Sequence, residues 1–247
     1  MEEYLISKFK KFVENFDISN DMISKKFYHT LRVTNYAKDI AKSKNLNEYD
    51  YNLAFICALL HDVGRFEQAT IYNTFNDLKS VDHGDLGYEM LLKDDYISEY
   101  VTNDIDKQLV LKSVKNHNKL FIDNSLSDRE LFFTKLTRDA DKLDILDKQM
   151  NEISDGESII ENDAIQFIKT HKLFKRDTVI RNNATEIVYR LSFIFDINFK
   201  RSFEILQENK IIEKKLNLLR KYCDSNLVNM IENELKSYIE KSITNNN

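Results

Sequence analysis

The stretch YNLAFICALLHDVGR, residues 51–65, decides the fold that we expect for this chain of 247 residues. Residues 53–60 are apolar without interruption, which is the pattern of a helix that other helices enclose on all sides. The run is far shorter than the ~20 apolar residues that a membrane span needs. It is followed directly by His61 and Asp62, and we expect Gly64 to end the helix in the left-handed C-cap conformation.

The remaining chain predicts further helices and no sheet. It contains no proline and only four glycines, so the residues that interrupt helices are nearly absent, although genome composition explains the missing proline equally well. Apolar residues at helical spacing predict helices over residues 26–44, 82–93, 104–117, 128–148, 157–171, 184–195 and 227–239. Residues 66–80 are predicted to be a polar connection. The expected class is all-α, a helical bundle with additional C-terminal helices, in which residues 1–155 form a core and residues 156–247 pack on it as one globular unit.

Composition and charge exclude several classes of protein. Lys and Arg total 36 against 41 Asp and Glu, a net charge of -5, so no global basic field recruits nucleic acid. Two cysteines cannot form a disulfide framework or a cysteine-rich zinc site. Residues 1–16 are charged and periodic, unlike a signal peptide. We expect a cytoplasmic protein that does not act at a membrane.

The five histidines, His29, His61, His83, His117 and His171, are not scattered at random. Three of them, His29, His83 and His117, lie on the apolar faces of their predicted helices. A single histidine on such a face is usually a hydrogen-bonded core residue, so only the whole set indicates a site. His171 lies in a charged stretch and is expected at the surface.

Asp62 follows eight unbroken apolar residues and is therefore expected to be buried. Burying a carboxylate without a cation costs several kcal/mol, so Asp62 requires a positively charged partner. Imidazoles and carboxylates that converge from separate helices suit zinc, iron, manganese and similar ions. For Asp62 alone, an ion pair with Arg65 is the alternative.

The motifs that contain these residues resemble those of a known protein family. The strings LLHDVGR at 59–65 and RDADKLDIL at 138–146, preceded by His29, resemble the signature of the HD superfamily of metal-dependent phosphohydrolases. HGDLG at 83–87 and NHNK at 116–119 are similar to the two additional histidine motifs of its binuclear members. The resemblance covers residues 27–147. It implies a first metal ion held by His29, His61, Asp62 and Asp141, and a second ion held by His83 and His117 with Asp62 as the bridge.

The resemblance does not fix the metals or the substrate. The two divalent ions could be Fe, Mn, Ni, Co, Zn or Mg. Helical spacing by itself does not choose Asp141 among Asp139, Asp141, Asp144 and Asp147, which could also form a solvated acidic face. The chain lacks the GYP element and paired histidines of cyclic-di-GMP phosphodiesterases, the acidic pair of guanosine tetraphosphate hydrolases, and the His and Pro that follow the dyad in deoxynucleotide triphosphohydrolases.

The resemblance implies an enzyme that hydrolyses a phosphomonoester or phosphodiester of a nucleotide or another small phosphorylated molecule. The nucleophile would be a hydroxide that bridges the two metals. Asp62 and Arg65 are the predicted catalytic residues, and a guanidinium suits a bidentate contact with phosphate. Substrate contacts are also predicted for Asn73, Asn76, Lys79, Lys119 and Lys142.

Two other functions are compatible with the same ligands. One is a mixed-valence di-iron oxygenase of the HD fold, and the other is a nucleotide-binding regulator without catalytic activity. The C-terminal segment could cover the site or form a surface of a homo-oligomer.

Overall fold

The computed structural model describes residues 1–149, 153, 158–174, 180 and 182–245. Within them the chain is all-α and contains no strand, as predicted. Short 3-10 segments lie at Asp77–Lys79, Lys93–Glu99 and Ser192–Asp196. The α-helices of these residues are α1 (Glu2–Val13), α2 (Asp21–Ser43), α3 (Glu48–Leu60), α4 (Val63–Tyr72), α5 (His83–Leu92), α6 (Asp104–Asn116), α7 (Asp128–Asp147), α8 (Asn162–Lys169), α9 (Asn183–Leu191), α10 (Lys200–Glu208), α11 (Ile211–Arg220) and α12 (Ser225–Asn245).

Polar side chains define where many of these helices begin. The side chains of Asn20, Asn47 and Asp82 accept hydrogen bonds from main-chain N–H groups in the first turns of α2, α3 and α5. Ser127 and Glu130 form a reciprocal capping box before α7. Such caps satisfy N–H groups that have no partner within the helix.

The prediction that Gly64 is a left-handed C-cap is wrong. The helix α3 ends at Leu60, and Gly64 is already the second residue of α4. A Cβ atom at Gly64 would lie 2.2 Å from the main-chain oxygen of His83 and 2.6 Å from the nitrogen of Gly87. Glycine is therefore required because α4 and α5 approach each other closely, and not because of its backbone angles.

The predicted polar connection at residues 66–80 is wrong for its first half. Residues 66–72 belong to α4, where Phe66 and Ala69 are buried at helical spacing with Val63. Asn73 ends that helix with a left-handed backbone (φ 48°). A loop without regular α-helix therefore extends only from Asn73 to the start of α5.

The other predicted helices correspond to α2, α5, α6, α7, α9 and α12 with small differences at their ends. Among the described residues, the predicted segment 157–171 is helical only as α8, and residue 157 lies outside them. The helical spacing of apolar residues did not predict α1, α10 or α11. These helices have 9 to 12 residues, which gives few periods for recognition.

The chain divides into two compact units, Met1–Asp141 and Lys142–Asn247. In the first unit, α3 packs against α1, α2 and α6, and all eight of its apolar residues 53–60 are buried. In the second unit, α12 contacts α8, α10 and α11. The predicted boundary between residues 155 and 156 lies outside the described residues and stays a prediction.

None of the helices in the described part of the chain combines the length and the apolar character needed to cross a bilayer.

Candidate metal centre

The six predicted metal ligands all lie in the first unit, at helix ends or on inward faces. His29 is within α2, and Asp141 is within α7. His61 directly follows α3, and Asp62 directly precedes α4, so the break between these helices presents both side chains. His83 is the first residue of α5, and His117 directly follows α6. The structure thus brings together residues that are up to 112 positions apart in sequence, from 29 to 141.

Two of the histidines are oriented by the helices that they end. The Nδ1 atom of His61 lies 2.7 Å from the main-chain oxygen of Ala58, and Nδ1 of His117 lies 2.6 Å from that of Val114. A carbonyl oxygen can only accept a hydrogen bond, so Nδ1 carries the proton in both rings. In the neutral form of each ring, the Nε2 atom then presents its lone pair to the interior of the site.

Asp62 lies between two pairs of histidines. Its Oδ2 atom is 3.4 Å from Nε2 of both His29 and His61. Its Oδ1 atom is 3.4 Å from Nε2 of His83 and 3.5 Å from Nε2 of His117. The two oxygens of one buried carboxylate thus face different histidine pairs.

Asp141 belongs to the half of the site that contains His29 and His61. Its Oδ1 atom is 3.1 Å from Nε2 of His29 and 3.7 Å from Nε2 of His61. Its neighbours Asp139 and Asp144 are buried, so they are not part of a solvated acidic face. Helical spacing does not separate Asp141 from the other aspartates of α7, whereas its contacts with His29 and His61 agree with the choice that the resemblance implies.

The donor atoms fit a metal site. Nε2 atoms approach within 3.4 Å between His29 and His61 and within 3.1 Å between His83 and His117. Among the described residues, three sets drawn from the six predicted ligands have ligand atoms within 4.8 Å of one another: His29 with His61 and Asp62, His61 with His117 and Asp141, and Asp62 with His83 and His117. Imidazole nitrogens and carboxylate oxygens are the donors that zinc, iron, manganese, nickel and cobalt take in proteins. The cluster could therefore hold metal ions.

The electrostatics favour the ligand forms of these groups. Burial alone would raise the pKa of Asp62, but the charges of Lys26 and His61 hold that pKa well below its usual value. For Asp141, burial is the largest cause and opposes ionisation, but the hydrogen bond from His29 and the charges of His61 and His29 together outweigh it, so the pKa is lowered. Burial lowers the pKa of His117 and, with the charge of Arg65, lowers the pKa of His83 to about 3. At neutral pH the carboxylates are charged and these two imidazoles are neutral.

A loop carboxylate, Asp77, orients His83, and the sequence interpretation missed it. Nδ1 of His83 lies 2.9 Å and 2.8 Å from the two carboxylate oxygens of Asp77. Gln68 donates a hydrogen bond to the same carboxylate at 2.9 Å. Although burial raises the pKa of Asp77, the contact with His83 lowers it to about 2. Asp77 lies in a loop, where no periodic pattern marks it.

Arg65, a predicted catalytic residue, forms hydrogen bonds with this loop. Its Nη1 atom donates to the side chains of Gln68 at 2.7 Å and Asp77 at 2.8 Å, and to the main-chain oxygen of Phe75 at 2.6 Å. Its Nε atom lies 3.7 Å from Oδ1 of Asp62. Arg65 therefore supports the loop that orients His83, and its contact with phosphate stays a prediction.

Lys26 is a second residue that the sequence interpretation missed. Its ammonium donates a hydrogen bond of 2.6 Å to Oδ2 of Asp62, and its side chain is 18% exposed. It also lies over the ring of Phe75, 5.3 Å from the ring centre. Lys26 is three residues before His29 on α2, and this position on the same side of the helix is the signal that could have revealed it.

The buried guanidinium of Arg138 fixes the end of α6 beside His117. Its Nη1 atom donates to the main-chain oxygens of Asn116, His117 and Lys119 at 2.9, 3.0 and 2.7 Å. These carbonyls belong to the last residue of α6 and to the turn after it, and they lack partners within the helix. Arg138 thus holds in place the backbone that carries His117, a predicted ligand.

The remaining predicted substrate residues are dispersed. Asn73, Asn76 and Lys79 are exposed in the loop before α5. Lys119 is 2.8 Å from Asp82 and 2.7 Å from Asp85. Lys142 belongs to the second unit, where its ammonium lies 2.7 Å from Asp196. Their roles in substrate binding stay predictions.

His171, which was expected at the surface, lies apart from the six ligands in sequence and in contacts. It is partly exposed, and its Nε2 atom is 3.2 Å from Glu234 in the second unit. It therefore serves as a comparison residue for the centre.

Comparisons with known proteins give one finding. A family model described as HD domain matches residues 27–149, which is about half of the chain and includes all six predicted ligands. No curated protein and no solved structure matches the chain.

Proposed function

The chain belongs to the HD superfamily of metal-dependent phosphohydrolases, and from this premise we propose that it hydrolyses a phosphate ester at a centre of two divalent metal ions. The substrate would be a phosphomonoester or phosphodiester of a nucleotide or another small phosphorylated molecule. A cytoplasmic location is part of the same proposal.

The position of Asp62 carries the proposal of two ions. One carboxylate oxygen faces His29 and His61, and the other faces His83 and His117. A carboxylate can bridge two metals when each oxygen has its own set of neighbouring ligands. Asp141 adds a second carboxylate to only one half, so the half with His83 and His117 has fewer protein ligands. An open coordination position is the property of catalytic sites.

Ions held there would supply positive charge to the phosphate oxygens and a water molecule with a pKa low enough to act as the nucleophile at neutral pH. The residues of the chain would mainly place these groups. The main-chain partners of His61 and His117 and the carboxylate of Asp77 fix which imidazole nitrogen faces the centre. Fixed ligands lower the reorganisation needed in the reaction.

Positive side chains at the edge of the centre support a phosphate-bearing substrate. Lys26 contacts Asp62 directly, and Arg65 approaches it at 3.7 Å. Both cationic groups also lie over the ring of Phe75, at 5.3 and 5.5 Å from its centre. If metal ions take over the charge of Asp62, Lys26 becomes available to a phosphate oxygen. We include Asn73, Asn76 and Lys79 of the adjoining loop as proposed substrate contacts.

A panel of phosphate esters tests the proposal. The chain is purified without chelators and assayed with nucleotides and aryl phosphates in the presence of manganese, iron, nickel, cobalt, zinc or magnesium. We expect turnover with at least one metal and its loss in folded His61→Ala and Asp62→Ala variants, by a factor of about 10³ or more because these residues hold the metals. Hydrolysis that persists in these variants contradicts the proposal.

A matched histidine variant controls for nonspecific effects. His171→Ala also removes an imidazole, but the residue lies in the second unit beside Glu234. It should retain hydrolysis within about twofold, because surface substitutions away from a site change little. Equal loss in His171→Ala and His61→Ala would show that the assay reports damage to the fold.

A further inference from the structure

A cavity in the second unit has the composition of an anion site. It has a volume of about 360 Å³ and lies between the end of α7 and the helix α11. Four lysines line it, Lys148, Lys214, Lys215 and Lys221, together with one carboxylate, that of Asp147. Cavities of a few hundred Å³ accommodate small ligands. The lining therefore has a surplus of positive charge in a space of suitable size.

Lys215 differs from the other three lysines because it is buried. Only 5% of the residue is exposed, whereas Lys148, Lys214 and Lys221 are exposed. Its ammonium donates a hydrogen bond of 3.1 Å to the main-chain oxygen of Lys148. Among the described residues, no carboxylate lies within 4 Å of this ammonium. A buried ammonium without a carboxylate is unfavourable, and a bound anion would supply the missing charge.

The groups around Lys215 do not neutralise it. Burial is the main cause that lowers the pKa of Lys215 to about 8, and the charge of Arg190 adds to it. Asp147 and Glu186 act in the opposite direction, and Lys214 in the same direction as Arg190. Glu186 is itself paired with Arg190 at 2.5 Å. Burial together with these charges makes the ammonium less favourable, so an anion beside it would raise the pKa of Lys215 again.

We propose that this cavity binds a small phosphate-bearing anion, with Lys215 as the buried ligand and Lys148, Lys214 and Lys221 as the exposed ones. Phosphate oxygens accept charge-assisted hydrogen bonds from ammonium groups, which are stronger than neutral ones. The site belongs to the second unit and uses none of the residues of the metal centre. It does not depend on the proposed hydrolysis.

A purely structural role for Lys215 makes a different prediction. The carbonyl of Lys148 directly follows the last residue of α7, and lysines commonly hydrogen bond such terminal carbonyls. If Lys215 only caps α7, its replacement changes stability but not the affinity for anions. Binding measurements therefore separate the two roles.

Calorimetric titration of orthophosphate into the full-length chain tests the proposal, with the Asp62→Ala variant disabling the metal centre. We expect binding to remain in Asp62→Ala and to weaken at least tenfold when Lys215→Met is introduced. At pH 8.5, buffers of different ionisation enthalpy should reveal uptake of up to about 0.7 proton per anion, because Lys215 is mostly neutral at that pH before binding. The uptake should vanish in Lys215→Met.

Exposed lysines provide a test that does not depend on the buried residue. The double variant Lys214→Gln, Lys221→Gln should weaken binding about three- to tenfold, and Lys241→Gln, which changes an exposed lysine of α12, should leave it within twofold. This double variant decides the matter if circular dichroism shows that Lys215→Met does not fold. Pyrophosphate and AMP are titrated in parallel, and tighter binding of AMP would identify a nucleotide as the source of the phosphate.

The proposal is overturned if orthophosphate, pyrophosphate and AMP all fail to bind in the Asp62→Ala background. It is also overturned if a folded Lys215→Met variant, or the Lys214→Gln, Lys221→Gln variant, binds as tightly as the parent.

Discussion

At the scale of single residues, the buried carboxylate of Asp62 has a cationic or hydrogen-bonding side chain beside each of its oxygens. Lys26 contacts one of its oxygens, and the imidazoles surround both. Burial makes each of these contacts stronger than it would be in water, because the effective dielectric constant is lower. The loss of one partner is therefore costly unless another cation takes its place.

We predict that Asp77→Asn weakens binding of the second metal ion about 10- to 100-fold, since it removes the carboxylate that orients His83. Metal titration followed by elemental analysis measures the stoichiometry and affinity. Asp85→Asn is the matched control, because Asp85 lies on α5 with His83 but its side chain is 45% exposed and pairs with Lys119. Equal metal affinities of the two variants would contradict an orienting role for Asp77.

We predict that Lys26→Met destabilises the metal-free chain by about 1–3 kcal/mol, because it leaves the carboxylate of Asp62 without its ammonium partner. With saturating manganese the difference should shrink, since metal ions then supply the positive charge. Urea unfolding in the two conditions measures both values. The neighbouring Lys25, whose side chain is 68% exposed and pairs with Asp21, gives the control Lys25→Met, which should change stability by less than about 0.5 kcal/mol. A Lys26 effect that is the same with and without metal would be evidence against this view.

At the scale of secondary structure, the centre depends on helix ends and on one close helix crossing. His61 and His117 terminate α3 and α6, and His83 begins α5. The contact of α4 with α5 through Gly64 and Gly87 brings His83 toward Asp62. A ligand at a helix end is held in place by the rigid backbone of the helix, and its side chain points past the end of the helix.

We predict that Gly64→Ala destabilises the chain by about 2–4 kcal/mol. The new Cβ would lie only 2.2 and 2.6 Å from main-chain atoms of α5, and these atoms cannot move aside as the end of a side chain can. Gly87→Ala is the control. Its Cβ would lie 3.1 Å from a methyl group of Val114 and 3.2 Å from the main-chain nitrogen of Gly64, contacts that are tight but about 1 Å longer than the closest one at Gly64. The cost should therefore stay below about 1 kcal/mol, partly offset by the better helix propensity of alanine. Chemical denaturation measures both values, and equal destabilisation would contradict the importance of this crossing.

At the scale of the whole molecule, the two units contain different clusters of polar side chains. All six proposed metal ligands are in Met1–Asp141, and the lysine-lined cavity is in Lys142–Asn247. The net charge of -5 does not show this difference, because it is summed over the whole chain and the positive groups of the cavity are concentrated in one place. The net charge therefore argues against a broad nucleic-acid surface but not against binding of a small anion.

We predict that removal of metal with a chelator lowers the free energy of unfolding, since ions that bind only the folded chain stabilise it by mass action. At a free metal concentration of 100 times Kd, each site contributes about 2.7 kcal/mol. Thermal unfolding with and without chelator should show a shift in wild type and little or none in Asp62→Ala. A shift of the same size in Asp62→Ala would mean that the stabilising ion binds elsewhere.

Residue pattern and motif order were enough to predict the all-α class, most helix positions and, through the family resemblance, the six residues that we propose as metal ligands. Periodic burial and motif order are properties of the linear chain, so they could be recognised without coordinates. The sequence could not assign Gly64, whose role depends on the backbone of α5.

How these residues are arranged became visible only in the folded chain. Each oxygen of Asp62 faces a different pair of histidines, and Lys26 and Asp77 lie beside the centre. The physical reason is that the pairing of a buried charge depends on atoms brought together from distant parts of the chain, and helical spacing contains no information about them.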